Sequence, residues 1–208
     1  MSIIISDDIL ALFEVKEEIL FYLKRIIPQD VDVKIYLTTL SFKSGGYTYH
    51  TKKLKKFTIT INSRLKRKHK KLVFLHELAH ITTILNSEGK KIKSHGQEFF
   101  LEHRKIFYNI GKFILSQNDF EQVKECFSST NNYKQFNLCL KANFWNSPAL
   151  SSDNNAFFLM DTSKVTEKFV YLKKRYKILK KNSMYYTVYC ENDGKVLKLN
   201  KYIKVLPL

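Results

Sequence analysis

The sequence has no paired cysteines. Cys126, Cys139 and Cys190 lie far apart with no Cys-x-x-Cys among them, which excludes a zinc ribbon and suggests no disulfide framework. Each is expected to be a small apolar thiol in a reducing compartment. Glycine and proline are scarce too, at 6 and 3 of 208 residues, and 44% of the chain is hydrophobic. That composition supplies a core and excludes a disordered or low-complexity chain. No stretch reaches the roughly 18–20 apolar residues of a membrane span. The start, Met1-Ser2-Ile3-Ile4-Ile5-Ser6-Asp7-Asp8, has neither a basic leader nor a long apolar core. A cytoplasmic protein with no membrane partner is the expectation.

The most informative shortage is of acid. Between Val33 and His76 there is no Asp or Glu, while lysine and arginine recur throughout. The whole chain carries a formal charge of +17, which favours an acidic partner, with nucleic acid foremost. Two clusters are the expected contacts. One is Lys66, Arg67, Lys68 and Lys70; the other is Lys173, Lys174 and Arg175, interleaved with Tyr171 and Tyr176. Those tyrosines either stack on bases or fill a small core. No zipper, finger or helix-turn-helix motif is present, so DNA, single-stranded or damaged, is expected to bind with little sequence preference.

Against this background stands Phe74-Leu75-His76-Glu77-Leu78-Ala79-His80-Ile81. Histidines four apart on a helix share a face, with bases about 5–6 Å apart, so both imidazoles can ligate one ion. Catalytic zinc has three protein ligands and a water, and Glu77 on the flank of that face can take the water's proton. After a stop at Asn86-Ser87-Glu88-Gly89, Ser94 and Gln97 have the form of a capping box, which starts a second helix with His95 in its first turn. His95 is the candidate third ligand and Glu98 its rival. Glu102 or His103, further along, is a candidate to fix a ligand imidazole.

His76-Glu77-Leu78-Ala79-His80, fourteen residues, then His95-Gly96-Gln97-Glu98-Phe99 resembles the SprT-like (Spartan-type) metallopeptidase family over about the first 115 residues. The resemblance implies zinc on His76, His80 and His95, with Glu77 as general base. It also implies cleavage of protein substrates bound or crosslinked to DNA, a DNA-repair activity with possible nucleoid association. The implied fold is α+β, a small zincin-like domain: a helix, a short antiparallel sheet, the zinc helix and a second ligand-bearing helix.

The rest of the pattern fits that order. Apolar residues from Ile9 to Ile27 keep helical spacing, Val31 to Leu37 alternate, and Tyr47–Tyr49 and Phe57–Ile61 read as strands. One outer strand of such a sheet can hold an extended substrate peptide. Phe99 to Ile114 form an aromatic helical stripe expected in the core, and Asp119–Phe127 and Tyr133–Phe144 read as short helices. Asn146 to Asn155 has linker composition, placing a metallopeptidase domain at 1–150 and a small basic β module at 155–208. That module should have strands at 156–160, 169–179, 184–190 and 196–205. It occupies the place of the family's zinc ribbon but lacks its cysteines.

Two other functions fit the same residues. One is a nucleic-acid-binding protein with a purely structural zinc helix; the other is a metallopeptidase with no link to DNA. A structural site needs a fourth protein ligand and no Glu77.

Overall fold

The computed structural model describes residues 3–13, 16–39, 45–51, 55–87, 89–145, 156–161 and 167–208. The chain forms two compact units, Met1–Lys124 and Glu125–Leu208. The division falls ahead of the expected boundary at 146–155, a stretch outside the described residues. The helix at 133–140 therefore belongs with the second unit.

The first unit is built on a four-stranded sheet of β1 (Ile3–Ile5), β2 (Asp32–Thr38), β3 (Gly46–Thr51) and β4 (Lys56–Asn62), in the order β1-β2-β4-β3. Alternation is strict: Val33, Ile35, Phe57, Ile59 and Ile61 are buried, and Lys34 and Tyr36 are exposed. An antiparallel sheet was expected, but β1, β2 and β4 run parallel and only β3 is antiparallel to its neighbour. The cause is connectivity. Helices α1 (Asp7–Leu10) and α2 (Lys16–Ile26) cross over between β1 and β2, and the β3–β4 hairpin lays β3 outside β4. β3 is thereby an edge strand.

The single helix expected over Ile9–Ile27 is broken into α1 and α2, although Ile9, Leu12, Phe13, Ile19, Leu23 and Ile27 are all buried as that spacing requires. Helix α3 (Arg67–Asn86) is buried on nearly every side over residues 71–83, as a helix through the middle of a core must be. Thr82 and Thr83 turn their hydroxyls back to the Ala79 carbonyl (3.2 and 2.6 Å), so neither leaves an unsatisfied donor. Ser87 caps the end, and Gly89 takes a positive φ of 83°. Helix α4 (Gln97–Ile114) packs on α3 and buries Phe99, Phe100, Ile106, Phe107 and Ile110. Phe113, expected within that stripe, is 41% exposed because it lies past the buried face.

In the second unit, α5 (Gln117–Ser128, which begins in the first) is followed by α6 (Tyr133–Leu140) and a π-helical turn, Lys141–Trp145. Phe127 stacks on Phe136 with centroids 3.9 Å apart. That packing brings Cys126 and Cys139 to a Cα separation of 5.5 Å, where they are joined as a disulfide. The expectation of three free thiols is corrected for this pair, and the reducing compartment inferred from it loses its basis. Cys190 is a buried thiol.

A six-stranded antiparallel sheet completes the unit, in the order β5-β10-β6-β7-β8-β9. Its strands are β5 (Phe157–Phe158), β6 (Lys168–Tyr171), β7 (Lys174–Lys181), β8 (Tyr185–Cys190), β9 (Val196–Asn200) and β10 (Lys204–Pro207). Two of the expected strands are each split in two. Leu172 and Lys173 both take positive φ, 51° and 62°, the geometry of a two-residue hairpin turn. Asn143 in the π turn is buried but satisfied: its amide donates to the Cys139 and Tyr202 carbonyls (3.0 and 2.6 Å) and its Oδ1 accepts from Lys204 N.

Candidate metal centre

His76 and His80 stand one turn apart on α3. His95 precedes α4, whose N-cap is Gly96 with no side-chain cap. The Ser94–Gln97 capping box is therefore not formed, and His95 lies in the turn ahead of the helix instead of its first turn. The outcome for the site is the expected one. His80 Nε2 and His95 Nε2 lie 3.2 and 3.3 Å from His76 Nε2, and the three residues can hold a metal ion. Zinc–imidazole bonds of about 2.0–2.1 Å in tetrahedral geometry require nitrogens about 3.3 Å apart. His76 Nε2 carries at most one hydrogen and cannot satisfy both neighbours at once, whereas a cation satisfies all three lone pairs. The donor set and its geometry fit the ion. Glu98 is outside the cluster and exposed.

Burial prepares these rings for ligation, which needs neutral imidazole. His80 is pushed down to about 4 by burial, then by the neighbouring His95. His76 is held well below its ordinary value by burial, then by His103, His80 and His95, and burial lowers His95. Phe99 is the shared floor: it is fully buried, with ring centroids 4.3, 4.9 and 5.0 Å from His80, His95 and His76. Its place one turn past His95 on α4 makes the aromatic stripe both core and platform. Of the two candidate partners, His103 is buried with its ring 5.5 Å from that of His76 and nearly edge-on. Glu102 faces Lys105 instead, at 3.7 Å.

Glu77 is 2% exposed. Burial pushes its carboxyl up to about 7, a rise partly offset by the hydroxyl of Thr48. Thr48 Oγ1 donates to Glu77 Oε2 at 2.7 Å, and so the edge strand β3 holds the carboxylate. Two residues earlier, Gly46 makes room for it. A Cβ there would stand 2.5 Å from Val73 Cγ1, 3.0 Å from the Thr60 carbonyl oxygen and 3.1 Å from Glu77 Oε1. Neither residue was singled out from sequence. A glycine inside a strand, which marks close approach of another group, was the available signal, but Gly45-Gly46 reads more readily as a turn.

A cavity of about 910 Å³ opens beside the cluster, lined by His80, Thr83, Ile84 and Ser94 and, from the sheet, by His50 and Phe57. His50 stacks on Phe57 (centroids 5.6 Å apart, 15° between planes).

The expected nucleic-acid residues are partly occupied. Lys66 and Arg67 are exposed, but Arg67 also donates to the Leu12 carbonyl at 3.2 Å, and Lys68 lies 4.0 Å from Asp119. Lys70 is half-buried. In the second unit Lys173 is in the hairpin turn, Lys174 pairs with Asp193 at 2.9 Å, and Arg175 is exposed. Tyr176 is 5% exposed within the core, and Tyr171 packs against that core, which settles those two tyrosines as core residues.

Comparison with family models, curated proteins and solved structures finds no match to this chain. No helix among the described residues is long and apolar enough to cross a membrane.

Proposed function

We propose that the protein is a zinc-dependent metalloendopeptidase of zincin-like design that acts on proteins associated with DNA. The observation that carries this reading is the pairing of three convergent imidazole nitrogens with one buried carboxylate, Glu77, on the same helix. Among the described residues no fourth ligand joins the three histidines, which is the arrangement of a catalytic rather than a structural zinc. Zinc, when bound there, supplies a Lewis acid and lowers the pKa of a water. Glu77 accepts the proton as water attacks the peptide carbonyl and returns it to the leaving amine. Thr48 keeps Oε2 oriented for that transfer.

Two features support a polypeptide substrate. The outermost position of β3, next to Glu77, suits addition of an extended chain through backbone hydrogen bonds, and the cavity bounded by His80 and His50 can receive its side chains. The DNA link rests on charge. The first turn of α3 holds no acid and begins with Lys66, Arg67 and Lys68, so basic residues crowd the positive end of a helix dipole. An anionic partner relieves that repulsion.

Glu77→Gln tests the enzyme. It keeps shape and removes proton acceptance, so cleavage of casein should fall by about 10²–10⁴-fold while zinc content stays at one per chain. Undiminished cleavage by this variant would refute the role of Glu77.

A further inference from the structure

Sheet alternation places a second surface on β3. Gly46, Thr48 and His50 face the helix side, so Tyr47 and Tyr49 face the other. Their exposures are 54% and 56%, and Tyr36 on β2, at 42%, opens to the same side. Register fixes the arrangement. Tyr47 and Tyr36 flank Thr60, while Tyr49 and Lys34 flank Thr58 in the next row. Lys56 lies at the end of the same face, where Asp32 stands opposite it. The face thus carries three exposed tyrosines and two lysines with Asp32 at one end, and it is drawn from a stretch with no acid after Asp32, on a chain of net charge +17.

We propose that this outer sheet face binds single-stranded DNA by stacking bases on Tyr47, Tyr49 and Tyr36. Alternate residues on a strand are about 7 Å apart, twice the roughly 3.4 Å between neighbouring nucleotides along one strand of a duplex. Successive bases must therefore separate to meet Tyr47 and Tyr49, which a single strand does and a closed duplex does not. Rings bear on every base alike, so binding is tolerant of sequence. DNA is the occupant named in preference to RNA because the function proposed above acts on DNA, and the phenols, hydroxyls and lysines of the face serve a phosphate backbone.

This inference rests on the DNA half of the proposed function and adds its geometry. One strand, β3, shows its tyrosines to nucleic acid and, one residue away, Thr48 to Glu77. A protein carried on the bound strand is then delivered at the edge where cleavage occurs.

The test is fluorescence polarisation of the full-length protein with a labelled oligothymidine across a salt series. Tyr47→Ala and Tyr49→Ala should each weaken binding by about 5- to 100-fold, with the salt slope unchanged, and Tyr→Phe variants should bind like wild type. Lys34→Ala should flatten the slope by about 0.7. Unchanged zinc content checks that the variants fold. If the tyrosine variants bind like wild type while charge reversal of Lys66, Arg67, Lys68 and Lys70 abolishes binding, the site is wrong and the DNA reading survives. Absence of wild-type binding overturns both. Tighter binding to oligouridine, or a dimer dissociated by Tyr49→Ala, overturns DNA as the occupant.

Discussion

The four-stranded sheet of the first unit and the six-stranded sheet of the second both carry tyrosines, lysines and β-branched residues on their strands. They dispose them differently. In the first, one face packs on α3 and the tyrosines Tyr36, Tyr47 and Tyr49 are left outside. In the second, Tyr176 and Tyr186 turn inward with Phe169, Val188 and Val205, while Tyr185 and Tyr189 join the lysines outside. Because side chains alternate with period two, a shift of one residue exchanges core for surface. A tyrosine in a strand therefore says nothing about function until its parity is known. The first sheet also has an edge beside a buried helix that carries its own polar groups. Among the described residues the second unit has no cluster of histidine, cysteine or carboxylate able to hold a metal.

The sharpest way to break that contrast is at His95. With His95→Ala two imidazoles remain, and affinity for zinc should fall by orders of magnitude, whereas Glu98→Ala should leave it unchanged. Metal content after dialysis reads both. The opposite pattern would make Glu98 the third ligand and the observed cluster irrelevant.

A smaller effect tests whether the second unit is separate in energy as well as in contacts. Phe169 is fully buried in the core of that unit, stacked on Tyr176 at 5.6 Å. Phe169→Ala should cost about 3–5 kcal/mol. The single tryptophan, Trp145, lies in this unit, so its fluorescence in a urea titration follows the loss directly. Zinc affinity, a property of the first unit, should not change; if it does, the two units do not fold independently.

The candidate metal centre was legible in the sequence because ligation imposes a spacing that survives without any knowledge of the fold. His76, Glu77 and His80 needed only helical geometry, whereas the choice of His95 over Glu98 rested on the resemblance to the SprT-like pattern. Core positions were legible for the same reason, since Ile9 to Ile27 and Phe99 to Ile114 repeat at the helical period. Strand direction was not. Whether β2 pairs in parallel with β4 depends on where β3 is laid, and nothing local encodes that. The disulfide escaped because Cys126 and Cys139 meet only through the packing of two helices around Phe127 and Phe136. Thr48 escaped because its partner is 29 residues away.

The smallest of these predictions concerns protons. In the metal-free protein Glu77 has a folded value of about 7 against an ordinary 4.5. Below pH 4.5 folded and unfolded chains both hold the proton, so this group does not affect stability there. Between 4.5 and 7 the folded chain keeps a proton that the unfolded chain has released, and stability falls as pH rises. The loss is complete above about pH 7 and amounts to roughly 3 kcal/mol, at 1.36 kcal/mol per unit. The imidazoles act in the opposite sense. His80 at about 4 and His103 at about 3 sit below their ordinary 6.5. As pH drops through 6.5 the unfolded chain gains protons that the folded chain refuses, and stability is lost toward acid. Glu77→Gln removes only the first effect. Metal-free Glu77→Gln should be more stable than metal-free wild type at pH 8, by up to about 3 kcal/mol, and the gap should close by pH 4.5 as the wild-type carboxyl protonates. Zinc should narrow the gap at pH 8, because a cation beside the carboxylate favours its charged form. Thermal unfolding of both proteins with and without chelator, at pH 8 and 4.5, measures all of these differences. Equal stability at pH 8 without metal would mean that Glu77 is better solvated than its 2% exposure implies.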